Sequence, residues 1–411
     1  MMRKKVFVSA YACEPNSGSE IAVGWNWILQ MSHFLDVWVL TRSSNRSEIE
    51  YFLANTNNPD YKKIKFVFYD LPKSLRFWKK QRRGVRLYYN LWQLLSNKLV
   101  KKTMIDNHID TFHHITYGNA LWLVSPYGLK QKFVWGPIGG LECISNEYSK
   151  HYPFRSRLLE KIRRFAVNVS FFNIGLRRRI KNADLIICKT QDTMRIINRY
   201  KPEKTIIKQC TDVAVNCIET HPYKKNNEDS IRFIAVGHLD CWRGFDLLIE
   251  AFAKAYEINS NIRLTILGDG ANLTWLKRLI KEYALDDMIK MKGNVSRVEY
   301  NNYLYEHDAL INTSLKEGAV TVSFDAIKYS KPFICFESGG YTKIFNDTNS
   351  IKLSISPCRI SMIKNLSDSI IKLTQEEERL KISQNIDKLK AVVTWDNKKM
   401  DIKRLYDMLG L

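Results

Sequence analysis

Glu317 and Asp325 stand eight residues apart in Ser314-Leu315-Lys316-Glu317-Gly318-Ala319-Val320-Thr321-Val322-Ser323-Phe324-Asp325. Apolar runs at 309–311 and 333–336 flank this segment and read as buried strands, so it reads as a turn from strand into helix. Such a turn exposes backbone N–H groups, here those of Gly318, Ala319 and Val320, at a helix N-terminus, where they can hold phosphate. A carboxylate does not suit phosphate, but it accepts hydrogen bonds from two sugar hydroxyls. Eight residues span just over two helical turns, which brings both acids near one face. The alternative is that Glu317 only complements a helix dipole and Asp325 is an unrelated surface acid.

Four further segments carry candidate groups. In Gly237-His238-Leu239-Asp240-Cys241-Trp242-Arg243-Gly244, Arg243 carries a planar fork of donors and His238 stands five positions before it. In Ser9-Ala10-Tyr11-Ala12-Cys13-Glu14-Pro15-Asn16-Ser17-Gly18-Ser19-Glu20, Gly18 opens a loop before a helix starting near Ser19, where phosphate or sugar could face free N–H groups. The other reading is an ordinary turn capped by Ser19. In Val134-Trp135-Gly136-Pro137-Ile138-Gly139-Gly140, three glycines at a strand end allow close backbone approach, by a ligand or by a tight turn. In Thr111-Phe112-His113-His114-Ile115, strand alternation lets at most one of His113 and His114 face a given side, and either can equally be a satisfied structural histidine.

These motifs resemble the retaining glycosyltransferases of family 4, in the subgroup that builds bacterial surface polysaccharides. The resemblance rests on the Glu-x7-acid pair, the opening strand–loop–helix, the "WGPxGG" loop, the "GRLxxxKG"-like segment 237–244 and Gly339-Gly340. It implies a GT-B fold, with two Rossmann-like domains facing across a cleft. It also implies a nucleotide-sugar co-substrate, no resident cofactor and no metal. Glu317 would orient the donor sugar and Asp325 the ribose. Gly18, His238, Arg243, Gly318, Ala319 and Val320 would face the donor, Gly136, Gly139 and Gly140 the acceptor, and His114 the reacting sugar. Departures stand at His238, where the family carries Arg, at Arg243, where it carries Lys, and at Asp325, where it carries Glu.

The elements that must position these groups follow from length and pattern. A chain of 411 residues exceeds one ordinary core and is expected to form two domains of about 150–200 residues each. Short apolar runs alternate with helix-length amphipathic stretches, which argues parallel α/β sheets. Strands are expected at 6–10, 37–40, 65–69, 111–115, 133–135 and 185–188. A second set is expected at 231–237, 262–268, 289–292, 309–313, 333–336 and 351–355. The expected division is an acceptor-side domain 1–211, a polar linker 212–229, a nucleotide-sugar domain 230–390 and a terminal helical segment 391–411 crossing back. Eight cysteines without C-x-x-C spacing suit reduced thiols rather than zinc.

The net charge of +22 is local. Residues 71–105 hold ten Lys/Arg and no acid, and residues 148–182 hold ten with only Glu160. Both windows interleave cations with large apolar side chains, which suits a membrane interface. Trp78, Lys79, Lys80, Arg82, Arg83 and Trp92 are the expected contacts. No apolar run approaches a membrane span, so the expected place is the cytoplasmic face of the membrane, attached peripherally. The chain carries no recognised nucleic-acid motif, and no nucleic-acid partner is expected. The expected function is transfer of a sugar, with retention, to a hydroxyl of a lipid-linked glycan in bacterial polysaccharide synthesis. The alternatives are a GT-B nucleotide-sugar epimerase and a non-catalytic basic binding protein.

Overall fold

A computed structural model describes residues 3–15, 19–76, 78–79, 84–124, 131–200, 202–215, 230–316, 321–340 and 344–411. It divides into two compact units. The first comprises 1–141, 169–212 and 395–411, and the second 142–168 and 213–394.

The first unit is built on a parallel sheet of seven strands. These are β1 (Lys5–Ser9), β2 (Asp36–Thr41), β3 (Lys65–Phe68), β4 (Thr111–His114), β5 (Lys132–Ile138), β6 (Leu185–Cys188) and β7 (Ile206–Gln209). Their order is β3-β2-β1-β4-β5-β6-β7. The central strands are buried because helices cover both faces of a parallel sheet, which is why β1 and β6 read as short apolar runs, whereas β4 buries two histidines and a threonine. β7 is not among the strands expected from the sequence. It is an edge strand and only partly buried, so Ile206-Ile207 is followed by an exposed lysine. The terminal helix Trp395–Asp407 packs on the helix Ser19–Ser32, and Tyr406 lies at its inner face against Phe34.

The second unit carries a parallel sheet of six strands. They are β8 (Ile231–Val236), β9 (Ile262–Leu267), β10 (Ile289–Gly293), β11 (Ala309–Asn312), β12 (Phe333–Phe336) and β13 (Ile351–Leu353), in the order β10-β9-β8-β11-β12-β13. The helix Phe245–Ile258 runs from β8 to β9 and buries an apolar face against the sheet. The helix Arg297–Glu306 begins in a full capping box, with the Ser296 hydroxyl and the Glu299 carboxylate each satisfying the other's backbone N–H. In both units the strand order reverses direction beside the first strand, between β1 and β4 and between β8 and β11. Ligands of doubly wound sheets sit at such a switch point, outside the carboxyl ends of the strands.

The segment 142–168, expected within the first domain, clusters with the second unit. Its helix Phe154–Val169 is tied there by polar contacts. Lys316 donates to Glu160 at 2.6 Å, and the Ser156 hydroxyl donates to Asn272 Oδ1 at 3.2 Å.

Candidate functional site

Three loops at the carboxyl ends of β8, β11 and β12 are stitched together. The Arg243 carbonyl accepts from Thr313 Oγ1 at 2.9 Å, and the Trp242 carbonyl accepts from Leu315 N at 2.9 Å. The Ser314 carbonyl accepts from the Ser338 hydroxyl. Gly244 turns the chain from a short 3-10 turn, Cys241–Arg243, into the helix Phe245–Ile258, with φ +68. A Cβ there would lie 2.2 Å from the Thr313 carbonyl oxygen, so only glycine fits. The glycines of Gly268-Asp269-Gly270 press the next loop against the first, and Leu239 N donates to the Asp269 carbonyl at 3.0 Å. Sequence reasoning missed this second loop. Its cue was a pair of glycines just past a strand.

Arg243 is half-buried at this switch point. Its guanidinium lies 4.2 Å over the Trp242 ring, and Nη1 donates to Ser314 Oγ at 3.3 Å. Stacking and the hydroxyl fix the plane of the fork. His238 is exposed, with Nδ1 3.3 Å from the Asp240 carboxylate. The sheet topology therefore brings His238, Arg243 and Ser314 to one edge. Glu317, Gly318, Ala319 and Val320, expected at the same edge, lie outside the described residues.

Asp325 sits on the helix Thr321–Lys328 and is buried. Burial raises its pKa, opposed by the hydrogen bond from Tyr300 Oη, which donates to Oδ2 at 2.6 Å. No local pattern in the chain marks this tyrosine. If Tyr300 aligns a ribose-holding carboxylate, Asp325→Ala weakens nucleoside diphosphate binding, and Tyr300→Phe costs about 3–10-fold, the worth of one hydrogen bond. Calorimetric titration with UDP checks this. Unchanged affinity in both variants, with a lowered melting temperature, would leave the pair a purely structural role.

Behind the loops, Lys316 is buried between Glu160 and Trp242. Burial and Arg163 lower its pKa while Glu160 opposes them.

In the first unit His113 and His114 are both fully buried. His113 is consumed structurally, with Nδ1 2.7 Å from Tyr406 Oη and Nε2 2.8 Å from the Gly136 carbonyl. His114 Nε2 lies 3.1 Å from Tyr89 Oη, within an aromatic group formed with Tyr11, Tyr117 and Trp122. Burial, with His113 and Arg179 nearby, pushes His114 down to about 3. It is therefore neutral at physiological pH and can hydrogen-bond but not supply charge. Nδ1 of His114 has no hydrogen-bond partner among the described residues.

The glycines of the 134–140 loop permit close approach, but to neighbouring chain. Gly136 adopts φ +138 with a would-be Cβ 2.2 Å from the Ile187 carbonyl, and Gly139 N donates to Gly118 O at 2.8 Å. Gly140 packs against the Asn119 side chain. Gly18 lies outside the described residues, whereas Glu20, two positions on, is tied into the unit. Its carboxylate accepts from Tyr117 N at 2.8 Å and pairs with Lys189 at 3.5 Å. Lys189 also pairs with Asp212 at 2.7 Å. Burial lowers the Lys189 pKa, but Asp212 and Glu20 outweigh it and raise it. The cue to this cluster was a lysine at the carboxyl end of β6.

The expected membrane contacts need correction at Trp92. It is fully buried, with Nε1 donating to the Tyr69 carbonyl at 2.8 Å, because the helix Val85–Asp106 turns that face onto the sheet. Trp78 is half-buried beside Tyr88, and Lys79 lies 4.3 Å over the Tyr88 ring. Lys80, Arg82 and Arg83 lie outside the described residues. Among the described residues no group of three or more His, Cys, Asp or Glu is placed to share a metal, and no helix is long and apolar enough to cross a membrane.

Comparison with known proteins finds likenesses to glycosyltransferases. Residues 218–389 match the family model described as Glycosyl transferases group 1. One component of the phosphatidylinositol N-acetylglucosaminyltransferase of Homo sapiens is 22% identical over 199 residues, which are 48% of this chain and 40% of that protein. The chain thus spans less than half the length of this curated relative. Among solved structures, Anabaena HepE in complex with UDP and glucose aligns over 99% of this chain and 100% of its own, with TM-score 0.59 and 14% identity. The lipopolysaccharide outer core galactosyltransferase WaaB aligns over 98% and 99%, with TM-score 0.60 and 13% identity. The two Rossmann-like parallel-sheet units have the GT-B fold.

Proposed function

We propose that the chain is a retaining glycosyltransferase that moves a sugar from a nucleotide-sugar donor to a hydroxyl of a lipid-linked glycan, in bacterial polysaccharide synthesis. The observation that carries it is the stitched switch-point edge of the second sheet, which presents Arg243 and Ser314 inside the stretch matching the transferase family. In the reaction the bond from the anomeric carbon to the diphosphate breaks, a bond to the acceptor oxygen forms on the same face, and the acceptor's hydroxyl proton passes to the departing diphosphate. Negative charge collects on the departing diphosphate, and preorganised cations and N–H groups stabilise it most where water is excluded. Arg243 supplies the fixed cation and His238 a second donor. The N–H groups of Gly318, Ala319 and Val320 complete the cradle on the sequence reading. Glu317 orients the donor hydroxyls, Asp325 the ribose, and neutral His114 offers a hydrogen bond. The protein needs no resident metal or cofactor on this reading, and it works from the cytoplasmic face of the membrane.

Support for the donor comes from HepE, whose structure holds UDP and glucose, and for the acceptor class from the human relative, whose name specifies phosphatidylinositol. The test is a melting series with nucleoside diphosphates, followed by product analysis from a panel of nucleotide sugars and lipid-linked acceptors. UDP or another diphosphate should raise the melting temperature, and the product linkage should keep the donor's anomeric configuration. Absence of any diphosphate effect would remove the transferase reading, and an inverted product would remove retention.

A further inference from the structure

The helix Phe154–Val169 is amphipathic in the reverse sense for a soluble protein. At 3.6 residues per turn, Phe154, Leu158, Ile162 and Phe165 fall within an arc of about 80°. That stripe faces outward, with exposures of 72% for Phe154, 45% for Leu158, 55% for Ile162 and 68% for Phe165. The inner face carries one buried apolar side chain, Val167, and is otherwise polar. Besides the Glu160 and Ser156 contacts given above, Arg163 Nε donates to the Glu142 carbonyl at 3.2 Å, and Arg164 bonds Asn146 Oδ1 and the Ser149 hydroxyl. A helix normally turns its apolar stripe inward because burial of that surface stabilises the fold. Here the fold is held by the polar side, and the apolar side is left for something else.

The charges say what covers it. Glu160 is the helix's one acid, and it is turned inward and neutralised by Lys316. Arg155 and Lys161 flank the stripe and are exposed, and Arg157 leans over the Phe154 ring at 5.9 Å. The outward surface is therefore apolar with cationic margins. A second copy of the chain, paired symmetrically, would set two cationic margins against each other. A bilayer with anionic headgroups satisfies both features at once, taking the stripe into the acyl boundary and the cations into the headgroup layer. Sixteen residues are too few to span a bilayer, so the helix lies in its plane.

We propose that the outward face of Phe154–Val169 is the element that seats the protein on an anionic membrane surface. This deepens the lipid-linked acceptor reading, on which the choice of a bilayer rests, and it moves the principal contact away from the Trp78–Trp92 segment.

The experiment is co-sedimentation of the full chain with vesicles of phosphatidylcholine alone or mixed with anionic phosphatidylglycerol, whose headgroups make the surface negative. Wild type should partition onto the mixed vesicles, weakly onto neutral ones, and less as salt rises. The triple variant Leu158→Asp, Ile162→Asp, Phe165→Asp should lose roughly tenfold or more in partition, as expected when buried apolar surface gives way to anions. Arg155→Gln with Lys161→Gln should lose less and flatten the salt dependence. Ile162→Cys carrying an environment-sensitive fluorophore should shift to the blue on mixed vesicles, which keeps the test informative if the triple variant misfolds. The diphosphate-induced melting shift should be the same in every variant. Failure of that shift in wild type, with docking intact, would strike only the transferase reading. Wild-type affinity retained in the triple variant, no spectral shift, no binding to either vesicle, or a dimer that the triple variant abolishes would each overturn the docking proposal.

Discussion

Arg243→Ala is expected to lower turnover by about 10²–10³-fold, the loss seen when one preorganised donor to a developing negative charge is removed. The guanidinium is already fixed before any ligand arrives, by the Trp242 ring at 4.2 Å and Ser314 Oγ at 3.3 Å. Little ordering is left to do at the moment of reaction. His238→Ala should cost less, because His238 is exposed and its Nδ1 already faces the Asp240 carboxylate at 3.3 Å. Arg243→Lys should recover part of the loss, since a point charge replaces a fork that can hold two oxygens. The measurement is single-turnover transfer at saturating donor, beside the affinity for UDP. Turnover within a few-fold of wild type in Arg243→Ala, or a larger loss in His238→Ala, would place the diphosphate elsewhere.

The largest stability effect is expected at Arg359. Its guanidinium joins the helix Arg359–Lys372 to the helix Phe245–Ile258, donating to Glu250 Oε2 at 2.6 Å and to Asp246 Oδ2 at 3.0 Å. Asp246 and Arg359 are both buried. Removing the cation strands a buried carboxylate, which costs about 3–5 kcal/mol, or roughly 6–20 °C in melting temperature for a unit of this size. The pH dependence follows from Asp246. Burial raises its pKa, and Arg359 opposes that rise. In Arg359→Ala burial and the neighbouring Glu250 carboxylate both push the Asp246 pKa up with the cation gone, so the folded carboxyl holds its proton to higher pH than the unfolded one. Folding then gains as pH falls toward the unfolded value. The deficit in melting temperature should be larger at pH 7.5 than at pH 5 (about one proton's linkage per unit). Equal deficits would mean that Asp246 is not the stranded charge.

Much of this molecule is legible in its sequence. Continuous apolar runs such as those of β6 and β12 announce strands buried on both faces, whichever sheet they join. The 245–258 helix and the Ser296 cap follow from spacing within a few residues. Arg243 just before a glycine, between a strand and a helix, already marks a phosphate-suited turn. These features are local. What the sequence by itself could not determine is which face of an element turns inward, because that depends on partners far along the chain. Trp92 sits in a basic window and reads as an interfacial side chain, yet the Tyr69 carbonyl and the core of the first unit enclose it. Glu160 reads as a lone acid among cations, until Lys316 meets it from more than 150 residues away and draws the segment 142–168 into the second unit. Asp325 reads as a ligand-facing acid, and Tyr300 decides how its carboxylate is held. In the helix Phe154–Val169 the periodicity fixes an apolar stripe, but only the tertiary contacts of Ser156, Glu160 and Arg163 turn that stripe toward solvent.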